Sequence, residues 1–126
     1  MASDSSTALL DELDHRLETG EPPLTAFKDA LRRVRELRAH RFAKGARASL
    51  LVRSAAHFTD AILARAWRQF MPADANACLV AVGGFGRGEL HPGSDVDVLI
   101  LTSQMPDRLA GEIESLVMFL WDIGLE

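Results

Sequence analysis

Two short apolar runs separated by a glycine-rich turn constrain the fold of this chain more than any other feature. The first run, Leu79 to Val82, ends at Gly83-Gly84, and the second, Val96 to Leu101, surrounds Asp97. Short apolar runs bounded by turn residues are typical of buried strands. Glycines lack Cβ atoms, so they can adopt positive φ and let a ligand approach the backbone amides closely. The stretch therefore predicts strand, turn and strand, with a phosphate-binding turn between them.

Two aspartates flank Val96 in the second run. Asp95 and Asp97 are two residues apart, and side chains alternate across a strand, so both carboxylates are predicted on one face. Neighbouring carboxylates repel unless a cation joins them, and Mg²⁺ prefers hard oxygen ligands when substrate phosphates complete its coordination. Coupled to Gly83-Gly84, the pair therefore predicts a Mg²⁺ site, which the two aspartates would not predict by themselves. The alternative is a pair of solvated acids that block unwanted strand pairing.

Two other phosphate-binding motifs do not fit these glycines. A Walker loop requires Lys and then Ser or Thr after its last glycine, but Gly88 is followed by Glu89 and Leu90. A dinucleotide fingerprint that starts at Gly84 requires a glycine where Glu89 stands. Both motifs are excluded.

The glycine pair, the spacer from Phe85 to Ser94 and the Asp95-Val-Asp97-Val segment together resemble the signature of the nucleotidyltransferase superfamily related to DNA polymerase beta. The wider motif of residues 83–98 and the later Phe119-Leu-Trp-Asp-Ile-Gly-Leu125 are similar to the bacterial uridylyltransferases that modify the nitrogen-signalling protein PII. A weaker similarity extends from about residue 27 to residue 70. The resemblance as a whole touches most of the chain but covers only the beginning of those much longer enzymes, which implies that the chain is an N-terminal fragment.

The resemblance implies a site for UTP. Asp95 and Asp97 would be the catalytic carboxylates that coordinate Mg²⁺ and align the α-phosphate. The residues implied to contact the nucleotide phosphates are Gly83, Gly84, Arg87 and Ser94. For Arg87, pairing with Glu89 and capping of the turn are open alternatives to a phosphate clamp.

The resemblance also implies the reaction: transfer of UMP from UTP to a tyrosine hydroxyl of PII, with pyrophosphate leaving, in the control of nitrogen assimilation. The superfamily uses a third carboxylate on a later strand, which this sequence does not supply. The uridylyl-removing HD domain and the glutamine-sensing ACT domains of the family are also absent. The chain by itself is therefore expected to show little turnover and no glutamine response.

Two alternatives to this function stay open. One is another nucleotidyltransferase of the superfamily, such as the adenylyltransferase that acts on glutamine synthetase. The other is a non-catalytic module that binds only a nucleotide or a protein partner. The missing third acid favours the second alternative, as does the basic segment from Lys28 to Arg41. That segment is either a surface for an acidic partner or for phosphates, or a solvated helix.

Periodicity predicts helices before and after the two strands. Leucines recur at helical spacing up to Leu17, and Gly20 and Pro22-Pro23 end the pattern. Two further amphipathic patterns precede residue 72, and another follows the second strand. The predicted class is α/β (α+β): N-terminal helices over residues 1–72, then the start of a nucleotidyltransferase-type mixed sheet covered by helices over residues 73–126.

Composition excludes several classes of protein. The net charge of −4 gives no general reason to expect binding to nucleic acid. No apolar run approaches the ~20 residues that cross a bilayer, and the N-terminus lacks a basic region before an apolar core. A cytoplasmic protein without membrane contact is expected. Cys78 is the only cysteine, which excludes an internal disulfide, and we predict it to be a small core residue.

Overall fold

A computed structural model describes residues 2–90, 96–103 and 106–125. The described part contains five helices and one two-stranded antiparallel sheet, so the predicted mixed α and β class is confirmed. The elements in chain order are α1 Ala2–Glu18, α2 Pro23–Ala43, α3 Ala48–Phe70, β1 Ala77–Ala81, α4 Gly83–Gly86, β2 Val98–Thr102 and α5 Pro106–Asp122.

The chain divides into two compact units, Met1–Leu51 and Val52–Glu126. This division falls inside α3. The predicted domain boundary near residue 72 concerns where the nucleotidyltransferase domain starts and stays a prediction.

The first unit is built from α1, α2 and the start of α3. Gly20 adopts a φ of +89° after the end of α1. Pro23 is the first residue of α2, a position whose N–H would have no acceptor within the helix, so proline loses no hydrogen bond there. The two helices pack against each other. Buried apolar side chains recur along both at helical spacing: Leu9, Leu13, Ala26, Phe27, Ala30, Leu31 and Val34.

An ion-pair network links α1 to α2 in this unit. Arg16 holds Glu21 with two hydrogen bonds and also donates from Nη1 to Asp29 Oδ2 at 2.6 Å. Arg32 donates to the other oxygen of Asp29. The guanidinium groups of Arg32 and Arg16 hold the pKa of the Asp29 carboxyl below its ordinary value.

Asp29→Asn is expected to lower the free energy of unfolding at pH 7 by about 1 kcal/mol, because both arginines lose a charged acceptor. A carboxyl whose pKa is depressed in the folded state stabilises the fold above its unfolded pKa and loses this contribution as the pH falls through its folded pKa. The difference between Asp29→Asn and the parent should therefore shrink below about pH 4. Urea unfolding at pH 7 and pH 3 measures this difference in the free energy of unfolding. Asp74→Asn changes an exposed residue and should have the same free energy of unfolding as the parent at both pH values.

The second unit contains the sheet. β1 pairs antiparallel with β2, with Ala77 opposite Thr102 and Ala81 opposite Val98. We expected Asp97 inside the second strand, but β2 begins at Val98, and Asp97 lies immediately before it. The Val82 N–H donates to the Asp97 carbonyl oxygen at 3.0 Å, so the strands stay hydrogen-bonded one pair beyond β2.

The two faces of the sheet differ in exposure. Leu79, Val98 and Ile100 are half-buried on one face, whereas Leu99 and Leu101 on the other are about half exposed. Cys78 pairs with Leu101 and is exposed, so its prediction as a core residue was wrong. The apolar run was correctly predicted to form a strand, but the strand register determined which of its side chains face solvent.

The helices of the second unit supply most of its buried apolar residues. Phe70 of α3 and Phe119 of α5 pack with ring centroids 4.9 Å apart. The apolar residues buried from these two helices are Ala55, Ala56, Phe58, Ile62, Leu63, Ala66, Leu109, Leu116, Phe119 and Leu120. Within the described ranges, no helix combines the length and apolar character required to span a membrane.

Candidate functional site

The glycine turn connects β1 to a one-turn helix. Val82 is extended, and Gly83 then adopts a φ of +63°, a conformation that favours glycine. The Gly86 N–H donates to the Val82 carbonyl oxygen at 3.0 Å, which closes the turn. The predicted positive φ at the glycine pair is confirmed at Gly83, whereas Gly84 does not adopt it.

Asp97 lies directly against this turn. A Cβ atom built on Gly83 would lie 3.0 Å from Asp97 Oδ2, closer than side chains normally approach. Glycine therefore makes room for the carboxylate. Both residues are exposed, so the carboxylate and the backbone of the turn meet in solvent.

Gly86 is a structural determinant that the sequence analysis missed. A Cβ atom there would lie 2.8 Å from the carbonyl oxygen of Ala81, the last residue of β1. The backbones of β1 and α4 therefore approach each other without room for a side chain. Phe85 is 5% exposed and anchors the turn in the unit's interior. The signal in the sequence was a third glycine two residues after Gly84.

Arg87 follows the turn, and its exposed guanidinium makes no ion pair or hydrogen bond with any described residue, Glu89 included. The backbone N–H of Arg87, not its side chain, caps α4 by donating to Gly84 O at 3.1 Å. Of the three roles considered, pairing with Glu89 is therefore wrong in this structure. The Arg87 Nη2 atom lies 3.7 Å from a Cβ built on Gly84, so the free guanidinium lies beside the turn.

The segment after Arg87 returns to α3. The Glu89 N–H donates to Gly84 O at 3.0 Å, and the Leu90 N–H donates to Val52 O at 3.3 Å. Ser94 and Asp95 lie outside the described residues. The structure thus brings together Gly83, Gly84, Arg87 and Asp97 of the predicted site residues.

The site offers an anionic oxygen, a cation and backbone donors in one exposed place. The first N–H groups of a helix lack intrahelical acceptors, so those of α4 can donate to an anion. Across residues 2–90, 96–103 and 106–125, no group of three or more His, Cys, Asp and Glu side chains is arranged to hold a metal. Of the two predicted metal-binding aspartates, only Asp97 is among the described residues.

A cleft of about 360 Å³ lies between α3 and the opposite face of the sheet. Alternation along the strands places Asp97 on the face of Leu99 and Leu101, away from this cleft. The lining is mainly apolar and comprises Asp60, Leu63, Ala64, Trp67, Arg68, Ala77, Cys78, Leu79, Ala81, Phe85 and Val98. The cleft is therefore not the place where the predicted site residues converge.

Similarity to known proteins confirms the resemblance that the motifs indicate. The chain is 48% identical over 106 residues to a "Bifunctional uridylyltransferase/uridylyl-removing enzyme" of Pseudomonas fluorescens (strain SBW25). Proteins of the same name from Pseudomonas syringae pv. tomato and Azotobacter vinelandii are also 48% identical. In each case the match covers 82% of this chain and 12% of the relative, so this chain spans a small part of the relatives' length. No solved structure gave a significant match.

A family profile matches most of the chain. The family described as "Putative nucleotidyltransferase DUF294" matches residues 32–123, which include the glycine turn, Asp97 and the helices on both sides. Since the match covers well over half of the sequence, the chain belongs to this nucleotidyltransferase family.

Proposed function

We propose that this chain supplies the start of the nucleotide site of a uridylyltransferase that transfers UMP from UTP to a tyrosine hydroxyl of PII and releases pyrophosphate. The observation that carries the proposal is the close approach of the Asp97 carboxylate to the turn at Gly83, where a Cβ atom would lie 3.0 Å from Oδ2, in a chain of the nucleotidyltransferase family. The printed name of the relatives supports uridylyl transfer as the reaction. Control of nitrogen assimilation follows from PII as the acceptor.

Mg²⁺ fits the donors that this site offers. Asp97 presents an exposed carboxylate, which is a hard oxygen ligand, and Asp95 is two residues away in sequence. Two carboxylates with substrate phosphates form a common ligand set for Mg²⁺. When bound, the ion would polarise the phosphoryl oxygens and stabilise the charge that develops on them.

The chain's own residues would bind and orient the triphosphate. The bare backbone at Gly83 and Gly84 lets phosphate oxygens approach the free N–H groups, and the Ser94 hydroxyl would add a donor. Arg87 has the forked donors that match a phosphate and no competing partner in the described part of the chain. Holding the α-phosphate in line with the attacking hydroxyl is the main catalytic contribution in such a transfer.

The proposal separates nucleotide binding from turnover. No group of three acidic side chains is arranged to hold a metal among the described residues, and the matched segment covers 12% of the relatives' length. We therefore expect the isolated chain to bind UTP with Mg²⁺ but to transfer little UMP. The uridylyl-removing activity, the glutamine response and a cytoplasmic location would be properties of the full-length enzyme.

Two experiments test this function. Calorimetry of the 126-residue chain with UTP should show binding that depends on Mg²⁺. A chimera in which this chain replaces the matched segment of the Pseudomonas fluorescens relative should transfer labelled UMP to PII. Transfer of AMP from ATP in its place would favour the adenylyltransferase alternative. Binding of UTP by the chain together with an inactive chimera would favour the non-catalytic module.

Arg87→Gln is expected to weaken Mg²⁺-dependent UTP binding about tenfold, because a charge-assisted contact to phosphate is lost. The fold should not change, since the Arg87 side chain has no partner among the described residues. Arg68→Gln removes an exposed positive charge from α3 at the edge of the cleft and serves as the matched control. Equal affinities for the two variants would show that Arg87 does not contact the nucleotide.

A further inference from the structure

The end of α2 and the turn that follows it carry positive charge without neighbouring acids in the sequence. Residues 37–59 contain no Asp or Glu, although the whole chain has a net charge of −4. We define the α2-end cluster as Arg38, Arg41, Lys44 and Arg47, all in the first compact unit. This cluster therefore concentrates four of the chain's 14 Lys and Arg residues within ten positions.

The arginines of α2 fall into two groups. Near its N-terminal half, Arg32 pairs with Asp29 and Glu36, and Arg33 pairs with Glu12. Near its C-terminus, Arg38 Nε and Arg41 Nη2 are buried without a hydrogen-bond partner in the described part of the chain. No ion pair is described for either guanidinium, so no carboxylate in the described part of the chain neutralises these two charges.

The helix dipole explains only part of this distribution. Basic residues in the last turn of a helix are favourable, which accounts for Arg41. The dipole of α2 does not account for Arg47, because this residue lies beyond the end of the helix. Desolvation and the nearby charge of Arg35 lower the pKa of Arg38, so the protein holds this cation in an unfavourable environment.

A large exposed aromatic residue lies within the cluster. Phe42 is 66% exposed, between Arg41 and Lys44 in sequence, and nearby Leu50 is 59% exposed. Aromatic residues and arginine are enriched at the centres of protein–protein interfaces. A surface for nucleic acid would not require an apolar centre, and the overall negative charge opposes such binding.

We propose that Phe42 and the α2-end cluster form a docking surface for an acidic segment of another protein. Phe42 would contact an apolar side chain of that segment, and the arginines would bind its Asp and Glu carboxylates through their forked donors. The proposal does not depend on the nucleotide site, because its residues lie before residue 48 and the predicted nucleotide ligands lie between residues 83 and 97.

The test uses fluorescence anisotropy of the 126-residue chain with a fluorescein-labelled peptide of Glu-Glu-Leu repeats. Phe42→Ser, and separately Arg41→Gln with Arg47→Gln, are each expected to weaken peptide binding at least about tenfold. Lys28→Gln with Arg68→Gln removes the same charge from other exposed positions and should leave the affinity within about twofold. Circular dichroism checks the fold of each variant.

Three results would overturn the proposal. The first is equal loss of peptide binding in the cluster variant and its charge-matched control, which would indicate general charge attraction. The second is tighter, Phe42-dependent binding of an oligo-dT strand of the same charge. The third is self-association of the chain in a sedimentation experiment, if Phe42→Ser abolishes it. The surface would then bind a second copy of the chain. UTP binding by the same variants should not change, so failure here leaves the nucleotide site untouched.

Discussion

Replacing Asp95 and Asp97 with alanine is expected to reduce UMP transfer to PII by about a thousandfold or more in the chimera with the Pseudomonas fluorescens relative. In the proposed mechanism the two carboxylates would hold the Mg²⁺ ion that neutralises the triphosphate, so their loss would remove charge stabilisation from the transition state. Asp97 has the firmer structural basis, since its Oδ2 lies against Gly83. Single variants should each lose most of the activity, because the two acids act as one unit.

The readouts for this prediction separate chemistry from folding. Asp74→Ala with Asp122→Ala removes two exposed carboxylates from the same unit and should leave transfer unchanged. In the 126-residue chain, Mg²⁺-dependent UTP binding should disappear with the Asp95 and Asp97 substitutions while the melting temperature is preserved. Undiminished transfer by the double variant would rule out these residues as metal ligands.

Gly86→Ala should have the largest effect on the fold around the site. The added Cβ would lie 2.8 Å from a backbone oxygen of β1, which no side-chain rotation can relieve. We expect a loss of about 1–3 kcal/mol in the free energy of unfolding, typical of overpacking. Displacement of α4 should also weaken UTP binding, because Gly83 and Gly84 belong to the same turn.

Gly111→Ala is the matched control for this substitution. Gly111 lies within α5, and beyond the adjacent backbone of its own helix no atom lies within 4 Å of a Cβ built there. Alanine in an exposed helix position should raise the free energy of unfolding by about 0.5–1 kcal/mol. Urea unfolding of both variants measures the contrast. If Gly86→Ala were as stable as Gly111→Ala, the close approach of α4 to β1 would not exist in solution.

The predictions that succeeded concern features encoded within a few neighbouring residues. Gly20 and the two prolines that follow it end one helix and start the next because their backbones cannot continue it. Periodic leucines predicted α1, and two apolar runs around a glycine turn predicted β1 and β2. The motif of glycines and aspartates indicated the nucleotidyltransferase family, which the family profile confirms.

The features that the sequence did not predict correctly depend on contacts between segments that are distant in the chain. The exposure of Cys78 follows from its register opposite Leu101, and a strand pattern by itself does not state which face the rest of the protein covers. The close approach at Gly86 depends on where the Ala81 carbonyl lies. Likewise, periodicity showed that α2 is basic but not which arginines find carboxylates, because Arg33 pairs with Glu12 on another helix.

The sequence by itself therefore determined the four longer helices, the two strands, the glycine turn and the family, since each depends on local backbone preferences or a contiguous motif. Only the tertiary structure decided that the Asp97 carboxylate lies close to Gly83, that Arg87 does not pair with Glu89, and that Arg38 Nε and Arg41 Nη2 have no hydrogen-bond partner among the described residues. These are distances between side chains and backbone atoms that local preferences do not specify. They arise when strand register and helix packing bring separate segments together.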